Sequence, residues 1–458
     1  MQRRHCLHPI FIFTLLFCGV ASHLFSQETD AQLVYSQEVL AEPFLAKPAI
    51  GETYRDPVFH TKITRLTDAV AEQNKGFVCY YAKLNPFNAD ESKILIYQRG
   101  GKWRLYDISG QFLKEVPVKN TQTDSQPRWH PTDPNVLFWF NANTIVKHNI
   151  ESATSEDIAQ FQDYQFITNF DEGNYSADGT LLAIAGKNWP WRTGLQEFFV
   201  YDLVNKKQVG PKIPATGHEV DWLSISPSGE YMVVHVAFKQ GGEQWQGTDV
   251  YKVPEMTWQP YPYYIYSDHA DIGIDELGDE VYVTDNAESV YPDRLRHIEK
   301  FRLSDGAKTD LLGLKWGLSM LISCRNLGVP GWAIVSTYSL PERLASPDIY
   351  PFQDEIFAVK LDGSYEVRRL AHHRSQRFSV GDYSYNNYWD QPNAVSSTSG
   401  DFILFSSNWR ELDAPEDVYL MDLRDQAGWI VSRYVPDTDP PTPPTAVTVQ
   451  AESNLLRK

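Results

Sequence analysis

Positive charge is what this chain is short of. Its 458 residues carry 41 Lys and Arg against 59 Asp and Glu, a formal net charge of −18. A nucleic acid or an anionic membrane would therefore meet a repulsive field. An anionic ligand would need a local cluster of Arg, although screening at physiological salt confines surface fields to about 8 Å. Cysteine is scarce too. Cys6 and Cys18 fall in the N-terminal leader, leaving Cys79 and Cys324 as either one disulfide or two buried thiols. No helical period appears beyond the leader, and no apolar run there is long enough to cross a bilayer.

The leader sets Arg3 and Arg4 ahead of an apolar run from Pro9 to about Ala21, the layout of a secretory signal peptide. Phe17 stands before Cys18 where a lipoprotein signal needs a small residue, so lipidation is not expected. The reading is a secreted or periplasmic monomer, with a leader over 1–27 and an extension over 28–52. The main domain spans 53–435, and a Pro/Thr-rich disordered tail spans 436–458.

What the chain has in quantity is short strands. One unit recurs: "YYAKLNPFNADESKILIYQ", "SQPRWHPTDPNVLFWF", "FDEGNYSADGTLLAIAG", "HEVDWLSISPSGEYMVVHV", "DHADIGIDELGDEVYVTD" and "DQPNAVSSTSGDFILFSSN". Each is followed by a strand pair such as "EFFVYDLVNKKQVGP" or "EIFAVKLDGSYEVRRL", and a less regular unit surrounds "LISCRNLGVPGWAIVSTY". Four strands in every 40 to 50 residues, roughly, predict an all-β, seven-bladed β-propeller. The early "VFHTKITRLTDA" is expected to supply the outer strand that the last unit lacks, closing the ring.

In such a ring the residues before each innermost strand converge around the central channel. Aligned on their turns, the units contribute Ser125, Gln126 and Arg128; Asn169, Asp171 and Glu172; His218, Asp221 and Trp222; His269 and Asp271; Ser323 and Arg325; and Tyr388, Asp390, Gln391 and Asn393. The segment "AHHRSQRFSVGDYSYNNYWDQPNA" reads as a long loop carrying His372, His373, Arg374, Arg377, Tyr383 and Tyr385. Tyr, Trp and Asn at this density suit sugar rings, which stack on aromatics and hydrogen-bond to amides.

Plainer roles compete. Asp221, Asp271 and Asp390 sit where turn caps occur, His130 belongs to a turn, His235 reads as a core residue, and His60 and His148 fall on outer strands. His218, His269 and His372 together ask for more, because three imidazoles on one face are not explained by independent caps.

"KITRLTDA", "GHEVDWLSISPSG", the repeated "SPSG"-type turn and the ending "YWDQPNAVSSTSGDFILFSSNW...DVYLMDL" resemble the seven-bladed propellers related to TolB. Within that group they resemble propeller polysaccharide lyases of the oligogalacturonate lyase and rhamnosyl-glucuronate lyase kinds. The resemblance implies β-elimination beside a uronic acid in a polysaccharide or oligosaccharide. That chemistry needs a cation at the carboxylate, a base and an acid. Arg128, Arg325 and Arg374 are the candidate clamps, with Asn169, Trp222 and Gln391 against the sugar. His218 or His269 is the candidate base, and Tyr388 or His372 the acid.

Oligogalacturonate lyases hold manganese with several His and a Gln. Gln391 and His269 match two of those ligands, but "PNAVSS" follows Gln391 where two His are wanted. A divalent cation, Mn or Ca, would thus rest on His269, Gln391 and Asp271. Two other classes stay open: a glycoside hydrolase using Glu172, Asp221 and Asp271, and a non-catalytic exported propeller that binds a protein or glycan.

Overall fold

The second strand of every repeat is a run of β-branched and aromatic residues, among them Val136–Asn141, Tyr231–His235 and Phe402–Ser407, and these runs are buried on both faces. A sheet with two apolar faces is stable only between two others, and a ring satisfies this for every sheet at once. In the computed structural model, which describes residues 31–32, 34–119, 126–189, 194–236, 244–260, 269–286, 295–339, 349–376, 388–411, 414–427 and 429, the named elements are strands throughout. Six sheets of four consecutive antiparallel strands cover 77–116, 128–160, 166–214, 222–259, 270–315 and 318–372, here blades 1 to 6.

Blade 7 combines the C-terminal strands Val395–Ser396, Phe402–Ser407 and Asp417–Asp422 with two early ones. Lys62–Arg65 pairs antiparallel with Asp417–Asp422, and Thr53–Arg55 lies outside it. Seven apolar layers fill the seven gaps between neighbouring blades. The layer between blades 7 and 1 joins Leu404, Val418 and Leu420 to Phe77, Ile94 and Ile96, and that between blades 6 and 7 joins Ile356 and Leu370 to Ile403 and Phe405.

Blade 6 is as regular as the others. Its outer strand is Val367–His372, so His372 ends a strand instead of sitting in a loop. The N-terminal extension runs along that strand and on to blade 7. Its backbone carbonyls are taken one after another by side chains: Ser36 and Glu38 by Arg369, Leu40 by His372, Pro43 by Arg374, Leu45 by Trp409 and Pro48 by Arg65. Beyond the short pairing of Ala31–Gln32 with Gln426–Ala427 and the bridge of Val34 to Arg369, the extended strap has no ladder, and these bonds replace one. Cys79 and Cys324 are both free and buried. Among the described residues no helix is long and apolar enough to cross a membrane.

Candidate active site at the channel mouth

The inner strand of blade 1 is interrupted. It pairs at Phe77–Val78, leaves the ladder, and returns at Phe87, which bridges Ile94. The intervening residues cross toward the centre, anchored where the Cys79 amide donates to Ser406 Oγ (2.8 Å) and where Asn174 Nδ2 donates to the Lys83 carbonyl (3.0 Å). Tyr81, Ala82 and Leu84 then pack with Leu321 and Tyr338 of blade 6.

This loop is the hub of the site. Tyr81 Oη lies 2.9 Å from His269 Nδ1 at the head of the inner strand of blade 5. His269 is in turn fixed by its amide, which donates to Asp285 Oδ1 (3.0 Å). Lys83 Nζ pairs with Glu172 of blade 3 and sits 3.9 Å from the centre of the Trp222 ring of blade 4. Tyr80 Oη donates to Asp171 Oδ2 (3.2 Å), and Gln126 Nε2 reaches both. Gln391 of blade 7 donates to Tyr338 Oη of blade 6 (3.2 Å). Trp389, Tyr80 and Tyr97 make an aromatic wall, with Tyr388 edge-on to Trp389 and 41% exposed.

Local backbone explains the placing of the carboxylates. Phe170 and Asp171 both adopt left-handed conformations, at φ 58° and 67°, which turn the chain sharply before Glu172. Gly173 must be glycine, because a Cβ there would collide with the Leu223 carbonyl oxygen.

Burial pushes the Glu172 carboxyl up to about 7. Lys83 draws it back and Asp221 raises it further. Burial likewise holds the Tyr81 hydroxyl well above its usual value, with Glu172, Tyr388 and Asp221 adding to the effect. Tyr81 is thus a donor, and Nδ1 of His269 the acceptor. Tyr388 is raised by burial and by Glu172.

The residues selected from the sequence divide by their partners. His269, Trp222, Gln391 and Tyr388 stand at this mouth. Arg128 is buried beneath it, bonding the Gly173 and Gln126 carbonyls, and its Nη2 has no hydrogen-bond partner among the described residues. Asn169 donates to the Gly173 carbonyl (3.3 Å). His218 stacks flat on Trp245, ring centres 3.9 Å apart.

Others are committed elsewhere. Arg325 grips both oxygens of Asp271 (2.9 and 2.8 Å), joining blades 5 and 6. Arg374 pairs with Glu42, and His372 donates to Leu40, both under the strap. Asp390 lies against Glu416 and Asn408, its carboxyl pushed up to about 8 by burial and by Glu416. His148 bonds Ser155 (2.9 Å), and His60 occupies the turn between the two early strands. Ser125, Arg377, Tyr383 and Tyr385, with the leader and the tail, lie outside the described residues.

Of the donors named for a divalent cation, Asp271 is committed to other partners. Both oxygens of Asp271 are held by Arg325, and one also accepts from the Cys324 amide (2.7 Å). Nδ1 of His269 is engaged by Tyr81. No group of three or more His, Cys, Asp or Glu among the described residues is placed to hold a metal.

The sequence reading passed over Tyr81 and Lys83. The signal was present in the register: Lys83 stands five residues before the turn residue Asn88, as Asp171 does before Ser176 and Asp221 before Ser226.

No known protein family matches the sequence, and no curated protein does. The fold does have likenesses. It is similar to the crystal structure of oligogalacturonate lyase from Vibrio parahaemolyticus, with a TM-score of 0.55 at 12% identity, over 81% of this chain and 96% of that one. U3-55K aligns at a TM-score of 0.46 and 15% identity, over 79% of this chain and 98% of that one. The first likeness is one of fold, a seven-bladed propeller.

Proposed function

We propose that the protein is a secreted or periplasmic carbohydrate-active lyase that cleaves a glycan beside a uronic acid by β-elimination. The observation that carries this reading is the Tyr81–His269 hydrogen bond (2.9 Å) at a mouth that also holds the Lys83 ammonium. It accords with the name of the oligogalacturonate lyase propeller that the fold resembles. In the reaction, Lys83 offsets the uronate carboxylate and so acidifies the proton on C5. Tyr81 oxygen takes that proton while passing its own to Nδ1 of His269. The C5–H electrons form the C4=C5 bond and the C4–O bond breaks. The leaving oxygen then receives the Nε2 proton of the imidazolium, which restores the pair after tautomerisation. Tyr388, 41% exposed, offers an apolar face on which a sugar ring stacks.

The assay is ultraviolet absorbance of the unsaturated uronate, with pectic, glucuronate-bearing and ulvan-type substrates, run with and without a chelator. Absorbance should rise with at least one of them and be lost in His269→Ala and Tyr81→Phe. A flat trace across the panel overturns the reading. One observation favours a second: Glu172, with its carboxyl near 7 and Asp221 close by, is the acid and carboxylate pairing of a glycoside hydrolase. Reducing-sugar release without absorbance would select it.

A further inference from the structure

Lys83 is the ammonium of the channel mouth, and it is already answered. Its side chain is 2% exposed, its Nζ contacts Glu172, and the Trp222 ring lies beneath it at 3.9 Å. Around this pair stand Tyr81 from the blade 1 loop, Asp171 beside Glu172 on blade 3, Asp221 on blade 4 and Tyr388 on blade 7, with the Arg128 guanidinium below from blade 2. One ammonium over a buried guanidinium thus faces three carboxylates. A uronate would bring a fourth, and a like charge in a partly dry pocket is repelled far more strongly than in water.

We propose that Glu172 is an internal stand-in for the substrate carboxylate. When a uronate binds, it takes the place of Glu172 at Lys83, and Glu172 takes up one proton from solvent. The inference rests on the uronate reading of the same site. The exchange makes one O–H bond, on Glu172, with a proton given up by hydronium or the buffer acid, whose own bond to that proton breaks, and it breaks no bond in the ligand. Trp222 makes it workable, because the ring holds the ammonium by its π face whichever carboxylate it pairs with. The carboxyl of Glu172 in the unliganded protein, pushed up to about 7, releases and accepts that proton within the neutral range.

Two consequences follow. The site distinguishes acid sugars from neutral ones by exchange at Lys83, and its affinity for a uronate falls as pH rises past 7. With one proton linked to binding, the dissociation constant should grow about tenfold per pH unit on the alkaline side.

The test is calorimetric titration of the full chain bearing His269→Ala, which stops turnover, with trigalacturonate, with a glucuronate-bearing trisaccharide, and with the neutral methyl ester of each. It is run on both sides of pH 7 in two buffers of different ionisation enthalpy. The expected result is uptake of about one proton per acid ligand above pH 7, and none with the esters. Adding Glu172→Gln, which mimics the protonated acid and keeps the shape, should abolish both the uptake and the pH dependence. Adding Lys83→Met should remove the preference for acid over ester.

Binding with no proton uptake, or a pH dependence that survives Glu172→Gln, overturns the proposal, as does failure of both acids to bind. Its fate separates from that of the lyase. Absorbance-producing turnover with a pH-independent KM keeps the lyase and removes the exchange. Proton-linked binding with no absorbance product from wild type keeps the exchange and removes the lyase.

Discussion

Two buried clusters of His, Arg and acid residues among the described residues can be set side by side, and of the two only the one at the channel mouth is partly open to solvent. At the outer edge of blade 6, Arg369 grips Glu355, while Arg374 and Arg410 grip Glu42, with His372 and His373 between them. The strap passes over these groups and presents carbonyls and a carboxylate to them, so the chain itself is the ligand. At the channel mouth the same residue types meet with Tyr388 exposed and His269 half-buried, and with the carboxylates outnumbering the cations. Density of ionisable residues in a sequence therefore does not separate a site from a clasp. What separates them is whether another stretch of the same chain already fills the partner positions.

The sharpest way to break that comparison is to cut the clasp. Arg369 is fully buried, bonds Glu355 in two places and donates to the carbonyls of Ser36 and Glu38. Arg369→Ala strands a buried carboxylate and two carbonyls at once. It should lower unfolding stability by about 3–5 kcal/mol, measured by denaturant titration, and expose the N-terminal strap to limited proteolysis. Retained stability would mean that the strap is an ornament rather than part of the fold.

The contrast also explains what a reader of the sequence sees. The turns at Asn88, His130, Ser176, Ser226, Asp275 and Asn326 repeat at a legible interval, with Ser397 following after a longer gap, because every inner strand must reverse at the same radius. That register also puts Trp222, His269 and Gln391 at the heads of their blades. It fails where the ladder is interrupted. In blade 1 the departure between Val78 and Phe87 moves Tyr81 to the centre without any change of residue type to mark it, although Lys83 keeps its register position. It fails again at His372 and Arg374, whose partners Leu40 and Glu42 lie 332 residues away along the chain. Pairing at such distance leaves no local pattern, and an aromatic, His-rich stretch then looks like a binding loop.

The two clusters should respond to pH in opposite directions, which sharpens the comparison. Burial holds His373 down to about 4, against an ordinary value of 6.5, while its Nε2 donates to the Thr337 carbonyl (2.7 Å). A depressed value stabilises the fold above the unfolded pKa, and that contribution is lost as pH falls from about 6.5 through about 4. A shift of this size corresponds to at most about 3 kcal/mol. His373→Asn should remove most of the acid sensitivity of the unfolding midpoint between those values. An unchanged slope would place the acid-labile group elsewhere.

Glu172 has the other sign and the smaller effect. Its folded value, near 7, exceeds the unfolded 4.5, so the folded chain binds the extra proton across that window. Stability is complete below about 4.5 and declines as pH rises through 7. A half-open mouth lets water offset part of this, leaving about 1–2 kcal/mol. Glu172→Gln cannot ionise and should keep its stability as the wild type loses it, so the two unfolding curves coincide in acid, separate between about pH 4.5 and 7, and run parallel above. The opposite order, with the variant weaker at alkaline pH, would mean that the ionised Glu172–Lys83 pair stabilises the fold, and that the mouth is a second clasp instead of a site under strain.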